Sequence, residues 1–311
     1  MPLLLRTSEV EPLLDLPQSM AILERAYRHQ ADGKLDESPP LRLMGRKIRL
    51  VAGGLPVDDR VGIRLSVGPG GGEGALALLY ASSGKLLAVM GYPFSELRLS
   101  ATLALAIERL APPGARRAGL IGSGRLAPQA LRAAAAVRPI ASVAVYSPTP
   151  EHREAFAARE AAQLGIEVEP VPSPEQAIED APIVLVSTNS PAPTLLGRWL
   201  SSEQSVFGCG RPNEFDDEVY LRAGLIVVSS KLHEQGYYDT QLDRPLIRLT
   251  NDGALTWQEV AELGQLVAGQ VRPNGMPVFR ESQGGCSDVA LASWAYQQAL
   301  ERGLGRDIGF E

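Results

Sequence analysis

Cysteine and histidine are scarce in this chain. Its 311 residues include two cysteines, Cys209 and Cys286, and three histidines, His29, His152 and His233. They form no CxxC pair, no HExxH and no ligand-spaced cluster, which argues against a disulfide framework and against any structural metal. Long apolar runs are missing too: no stretch approaches the roughly 18 residues that a membrane span requires. Met1 to Arg6 lacks the basic, long-apolar and small-residue sections of a signal peptide, so a cytoplasmic location is expected. There is no basic surplus, since 30 Lys+Arg stand against 36 Asp+Glu for a formal net charge of -6. Nucleic acid is therefore an unfavoured partner, because neutralising phosphates supplies most of that affinity. What is present is a 45% apolar, 21% charged composition, that of a globular protein long enough for about two domains and a large core without staples. Small molecules are the expected partners.

From Arg117 onward, short apolar runs alternate with helix-like segments, the pattern of a parallel sheet with crossover helices. The runs are Ala118 to Ile121, Ser142 to Tyr146, Ile166 to Glu169, Pro182 to Ser187, Ser205 to Gly208 and Leu225 to Ser229. Six strand candidates suffice for a Rossmann-type doubly wound sheet. The first 113 residues differ. Helical signal covers Pro17 to Asp32, and Ile48 to Ala52, Val61 to Val67, Ala75 to Ala81 and Lys85 to Met90 read as strands joined by turns. Strands without long crossovers predict an antiparallel sheet, hence a smaller α+β domain. Gly68 to Gly74 resembles a phosphate loop, but no Lys-Ser or Lys-Thr follows it, and a hairpin tip is the better reading. A helix from Ser95 ends at Leu110 before Pro112-Pro113-Gly114, which places a domain boundary after residue 113, with 114–286 as the second domain. Further helices are predicted at Thr256 to Ala268 and Ser287 to Arg302.

Gly122-Ser123-Gly124-Arg125-Leu126-Ala127 follows a predicted strand and opens a predicted helix, the context that makes a glycine triplet informative. Gly122 permits the tight turn. Gly124 lets a pyrophosphate approach backbone amides at a helix N-terminus, and Ala127 lets the helix lie close on the strand. These residues predict a dinucleotide site. An acid about 20 positions later normally accepts from the adenosine ribose hydroxyls and disfavours a 2′-phosphate. Here the second strand ends in Tyr146-Ser147-Pro148-Thr149. Ser147 and Thr149 can donate to phosphate oxygens, and Arg125 and Arg153 can supply charge, so NADP(H) is expected in preference to NAD(H). Read simply as strand-end turn residues, they would carry no such preference.

In the N-terminal part, Arg42, Arg64 and Arg98 stand out. Arginine binds carboxylates bidentately, so a cluster would suit an amino-acid or keto-acid substrate. Each could equally be a salt-bridged structural residue.

Taken in order, these pieces resemble the ornithine cyclodeaminase and mu-crystallin family, whose relatives include ketimine reductases and an archaeal type of alanine dehydrogenase. The resemblance is carried by Pro40-Leu41-Arg42-Leu43-Met44, Val61-Gly62-Ile63-Arg64, Gly84 to Met90 leading into Leu97-Arg98, and Gly122-Ser123-Gly124. It continues through Ser187-Thr188-Asn189-Ser190, Val267-Ala268-Gly269, Val278 to Ser282 and Ser287 to Ala292, nearly the whole chain. It implies a homodimer built on the N-terminal sheet, a helix at about 287–311 that returns to that domain, and an NAD or NADP cofactor. It also implies that Arg42 and Arg98 bind a substrate carboxylate, and that Thr188 and Asn189 lie near the nicotinamide.

The chain departs from the family pattern at three places. Arg64 stands where a Lys is usual, and Arg98-Leu99 where Arg-Thr is usual. In the loop after the fifth strand, where the family's cyclodeaminases place an Asp, the match is Gly210, with Glu214 or Asp216 as substitutes if the loop alignment shifts. Three readings follow. The first is an NAD(P)H-dependent reductase of a carboxylated imine, or an amino-acid dehydrogenase. The second is a cyclodeaminase of a diamino acid. The third is a binding protein that keeps the dinucleotide fold without turnover. Tyr80, Glu73, His233 and Asp288 are candidate proton donors.

Overall fold

In the computed structural model, residues 1–43, 48–68, 74–236 and 242–309 are described. Their contacts divide into two units. The first comprises Met1–Ala101, Ser230–Gly236 and Gln283–Glu311, and the second Thr102–Ser229 and Tyr237–Ser282. The division falls within the helix Ser95–Leu110, twelve residues before the boundary expected from Pro112-Pro113-Gly114.

The first unit is built on strands β1 (Leu3–Leu5), β2 (Asp36–Glu37), β3 (Leu41–Leu43), β4 (Ile48–Leu55), β5 (Arg60–Val67), β6 (Leu76–Tyr80) and β7 (Leu86–Gly91). The four long strands form the expected antiparallel meander. β1 joins β7 in parallel, and the short strand Arg306–Asp307 pairs with β1 at the sheet edge. Residues 69–73 of the glycine-rich stretch, Glu73 among them, lie outside the described residues.

Period-2 alternation separates the two faces of this sheet. Gly53, Gly62, Arg64 and Ser66 are buried on one face, while Val61, Val67 and Leu76 are exposed on the other. The helix Gly285–Arg302 lies on the first face, and glycine is what permits the close approach. A Cβ at Gly53 would come within 2.5 Å of the Cys286 nitrogen, and one at Gly285 within 2.0 Å of the Ala52 carbonyl oxygen.

The second unit is a parallel sheet of β8 (Arg117–Ile121), β9 (Ser142–Tyr146), β10 (Glu167–Pro170), β11 (Ile183–Val186), β12 (Ser205–Gly208), β13 (Leu225–Val228), β14 (Val260–Glu262) and β15 (Pro277–Arg280), in the order β10-β9-β8-β11-β12-β15-β13-β14. This is the doubly wound Rossmann-type α/β fold. β11, β12 and β15 are buried at every residue, as central parallel strands covered on both faces must be, and this is why β11 reads as an unbroken apolar run, while β15, which ends in Arg280, is not among the strands read from sequence. The order reverses between β8 and β11, which opens a crevice at their carboxyl ends, where such sheets bind ligands.

One expectation fails in this unit. Thr256 to Ala268 is not a single helix: Glu259 accepts from the Thr256 N–H and hydroxyl, Val260–Glu262 pairs with β13 as an edge strand, and only Leu263–Val267 is helical. Apolar spacing over so short a segment suits either period, and the open edge of the sheet decides between them.

Candidate active site

Gly122 follows β8 directly at φ +110°, a conformation that favours glycine, and a Cβ there would meet the Ser187 carbonyl oxygen at 2.1 Å. Its N–H donates to the Tyr146 carbonyl oxygen at 2.8 Å, and Ser187 N–H donates to Ile121 at 2.9 Å, so the turn is tied to β9 and β11. Gly124 has nothing within 4 Å of a notional Cβ, which leaves its backbone open to a ligand. Ala127 is fully buried at the start of the helix Ala127–Val137. Above this turn lies a cleft of about 820 Å³ lined by Ser123, Gly124, Arg125 and Leu126 on one side and by Ser147, Thr149, Thr188 and Asn189 around it. The residues assigned from sequence to a dinucleotide therefore line one cleft, except Ala127 and Arg153. Ser147 Oγ donates to the Thr149 carbonyl oxygen at 3.4 Å, and Arg153 donates to the Ser147 carbonyl oxygen at 3.1 Å, holding the end of β9 in place.

Gly210 also lines this cleft, and Glu214 closes the space behind it. Glu214 is fully buried and accepts from Thr188 N–H at 2.6 Å and Gly210 N–H at 2.8 Å, so one carboxylate fastens the loops after β11 and β12 together. Burial pushes its carboxyl up to about 8, against the opposing pull of Arg280, whose Nη1 lies 3.5 Å away, and of the two amides. Asp216 accepts from Gly197 and Val219 N–H groups and caps the helix Asp217–Leu221. Both acids are thus taken up by backbone N–H groups rather than standing free as a loop aspartate would. Gly210 itself has no room for one, because a Cβ would lie 2.3 Å from both Glu214 Oε1 and the Thr188 carbonyl oxygen. The thiols offer no substitute chemistry. Cys209 and Cys286 are buried, and burial raises both of their pKa values. Among the described residues no group of three His, Cys, Asp or Glu could hold a metal ion.

In the first unit, Asp288 of the helix Gly285–Arg302 draws the arginines together. Arg64 Nε donates to its Oδ2 at 2.7 Å, Arg98 Nε lies 3.2 Å from Oδ1, and the Tyr92 hydroxyl donates to Oδ1. All four side chains are buried. Burial alone would raise the Asp288 carboxyl, but Arg64, Arg98 and the Tyr92 hydroxyl outweigh it and hold it below the ordinary carboxylate value. The Tyr92 phenol is driven well above its ordinary value by burial first and by Asp288 second. Arg64 also donates to Ser66 Oγ at 2.9 Å, and its guanidinium carbon stands 5.7 Å from the Tyr92 ring centroid.

Arg42 of β3 is paired across the ladder with Arg49 of β4, which is opposite Ser66 of β5, so both arginines share the sheet face of Arg64. Tyr80 is opposite Val61 and belongs to the other face, away from this cluster. Sequence reasoning singled out Arg42, Arg64 and Arg98 but not Arg49 or Tyr92. Strand parity from β3 to β5 was the available signal for Arg49, and it required knowing the register.

A sequence model of the Ornithine cyclodeaminase/mu-crystallin family matches residues 73–303, and the chain belongs to this family. It is 29% identical over 250 residues to a delta(1)-pyrroline-2-carboxylate reductase of Bacillus cereus, covering 76% of this chain and 74% of that one. A delta(1)-pyrroline-2-carboxylate reductase of Thermococcus litoralis, solved with NADH and L-proline, superposes with a TM-score of 0.84 at 26% identity, covering 98% of this chain and all of that one. An archaeal alanine dehydrogenase dimer with bound NAD shares the fold, with a TM-score of 0.85 at 24% identity and coverage of 100% and 99%.

Proposed function

We propose that the protein is an NAD(P)H-dependent reductase of a carboxylated imine, an imino acid whose carboxylate is held by Arg42, Arg64 and Arg98. The closed position at Gly210 carries this reading. The family's cyclodeaminases place an aspartate in that loop for the departing and attacking amines, whereas here a side chain at Gly210 would meet Glu214 and Thr188, and Glu214 itself is taken up by the N–H groups of Thr188 and Gly210. Reduction asks less of the protein. The dinucleotide supplies hydride when bound, and the chain's own residues need only orient the C=N carbon that receives it. The cleft over Gly122 and Gly124 fits that group, since an open backbone meets a helix N-terminus there. The two pyrroline-2-carboxylate reductases among the relatives support the same reaction class.

Two assays in one buffer test this: reduced-dinucleotide oxidation with pyrroline-2-carboxylate, and proline formation from ornithine with added oxidised dinucleotide. The expected result is imine reduction without cyclodeamination, with NADPH preferred to NADH by about tenfold, the equivalent of one charge-assisted hydrogen bond to the 2′-phosphate near Ser147. Proline formation without imine reduction would overturn the proposal. A tenfold preference for NADH would overturn the cofactor assignment, and silence in both assays with dinucleotide binding intact would favour a binding protein.

The protein is further proposed to be a homodimer. Leu41 (50% exposed), Leu43 (46%), Val61 (42%), Val67 (45%) and Leu76 (41%) all lie on the sheet face opposite the helix Gly285–Arg302, with Leu50, Ile63, Leu65 and Leu78 between them. A contiguous apolar face of this kind is the mark of an interface. Light scattering at micromolar concentration is expected to give twice the 33.3 kDa chain mass. A monomer would remove this assignment.

A further inference from the structure

His233 is 1% exposed, and its Nε2 is buried with no hydrogen-bond partner. A buried ring nitrogen without a partner calls for an explanation, and a ligand group that completes the bond is one. The surroundings show which ligand atom fits.

The helix Lys231–Gln235 that carries His233 is held on two sides within the first unit. Ser230 Oγ accepts from His233 N–H at 3.3 Å and donates to Glu37 Oε2 at 2.9 Å. Glu37 Oε1 in turn accepts from the Cys286 N–H at the start of the helix that bears Asp288. On the other side, Gly236 rests on Pro39 and Pro40, two residues before Arg42. The helix of His233 is therefore held against the chain two residues before Arg42 and, through Glu37, against the start of the helix that bears Asp288, and the charges of Asp288, Arg98, Arg64 and Arg42 all act on the imidazole. Glu37 faces it through Ser230, while Lys231 and Glu234 share its own helix.

A protonated imino acid presents two things to be recognised, a carboxylate and an N–H that carries positive charge. The arginines answer the first with donors only. The second needs an acceptor without positive charge of its own. Both oxygens of Asp288 already accept, Oδ2 from Arg64 and Oδ1 from Tyr92, and Arg98 Nε stands 3.2 Å from Oδ1 as an ion pair. A neutral imidazole with its proton on Nδ1 offers a lone pair at Nε2.

Resting on the imino-acid reading above, we infer that His233 Nε2 accepts the hydrogen bond from the protonated nitrogen of the substrate and so selects nitrogen-bearing carboxylates over nitrogen-free ones. Burial first, then Arg98, Arg64 and Arg42 against the pull of Asp288, hold the imidazole down to about 4, so it stays neutral where the imine is protonated. Reaction makes no further demand on it. Hydride adds to the carbon, the C=N electron pair moves onto nitrogen, and the N–H that His233 holds is retained in the amine.

The test is a cycle between one residue and one ligand atom. L-proline and cyclopentanecarboxylate, which differ in the ring nitrogen, are titrated calorimetrically into the NADPH-saturated wild type, His233→Ala and His233→Gln. In the alanine variant the preference for proline is expected to fall about tenfold, with the affinities for cyclopentanecarboxylate and NADPH unchanged. Glutamine, whose amide oxygen can replace the Nε2 lone pair, is expected to restore part of the preference. Equal weakening of both ligands would reveal a purely structural histidine, and an unchanged ratio would equally overturn the inference. If the wild type binds neither carboxylate, the imino-acid reading falls and this inference with it. If it binds both equally, only the assignment of His233 falls.

Discussion

Asp288→Ala is expected to lower unfolding stability by about 3 to 5 kcal/mol, the cost of breaking a buried ion pair and leaving its partner charged. Arg64 and Arg98 both direct a guanidinium nitrogen at this one carboxylate, and Tyr92 donates its hydroxyl to it. Without it two buried cations face each other, and a phenol loses its acceptor. Asp288→Asn keeps the shape and part of the bonding, so its loss should be smaller. The effect is tied to pH. Because the carboxyl is held below its ordinary value in the folded chain, the stability it contributes is complete above the unfolded carboxylate value and disappears as pH falls through the folded one. Wild type and variant should therefore differ most near neutrality, begin to approach each other only below about pH 4, the unfolded carboxylate value, and meet only below the folded one. Urea unfolding at several pH values measures both quantities. An alanine variant within about 0.5 kcal/mol of wild type at pH 7 would show that Asp288 does not hold the cluster together.

The glycines of the β8 turn are expected to separate folding from binding. Gly122→Val places a branched side chain at φ +110° with its Cβ 2.1 Å from the Ser187 carbonyl oxygen and 3.3 Å from Thr188 Cγ2. Nothing at the end of a flexible side chain can give way there, so the cost is strain plus overpacking, about 3 kcal/mol or more. Dinucleotide binding should be lost with it. Gly124→Ala meets no atom within 4 Å and lacks the positive φ, so it should unfold like wild type. Its methyl group nevertheless stands where a pyrophosphate has to approach the backbone, which should weaken dinucleotide affinity about tenfold to a hundredfold. Thermal unfolding and fluorescence titration with NADPH distinguish the two cases. Full affinity in Gly124→Ala would mean that the phosphates lie elsewhere in the cleft.

The second unit was largely legible because its signals are local. Five of the six runs from Ala118 to Ser229 are apolar for several residues in a row, Ile166 to Glu169 being the exception, and the turn at Gly122 follows its strand directly. Thr256 to Ala268 misled because its spacing fits a helix while the edge of the sheet beside β13 determines its structure. The arginine cluster was legible only in its members. Arg64 and Asp288 are 224 residues apart, so no spacing rule connects them. Nor could sequence show that Glu214 serves as a fastener between two loops, since the N–H groups it accepts come from Thr188 and Gly210, which fold brings to it from different strands. The missing carboxylate at Gly210 was visible in the sequence, but the reason that no side chain fits there was not.

The glycine-floored face of the first sheet has a bearing on how the chain comes off the ribosome. Strands β4 and β5 are synthesised more than two hundred residues before the helix Gly285–Arg302 that covers them, and the whole second unit is made in between. Local pairing can form the meander early, but the bare strip along Gly53 and Gly62 waits for that helix, and closing so long a loop is slow. In the second unit, by contrast, β8 to β12 pair with one another within residues 117–208 and can form early, whereas β13 has to wait for β15, which lies between it and β12. In the nascent protein the half of the sheet that carries the Gly122 turn would therefore form ahead of the arginine cluster, which gains Asp288 only when the last helix emerges.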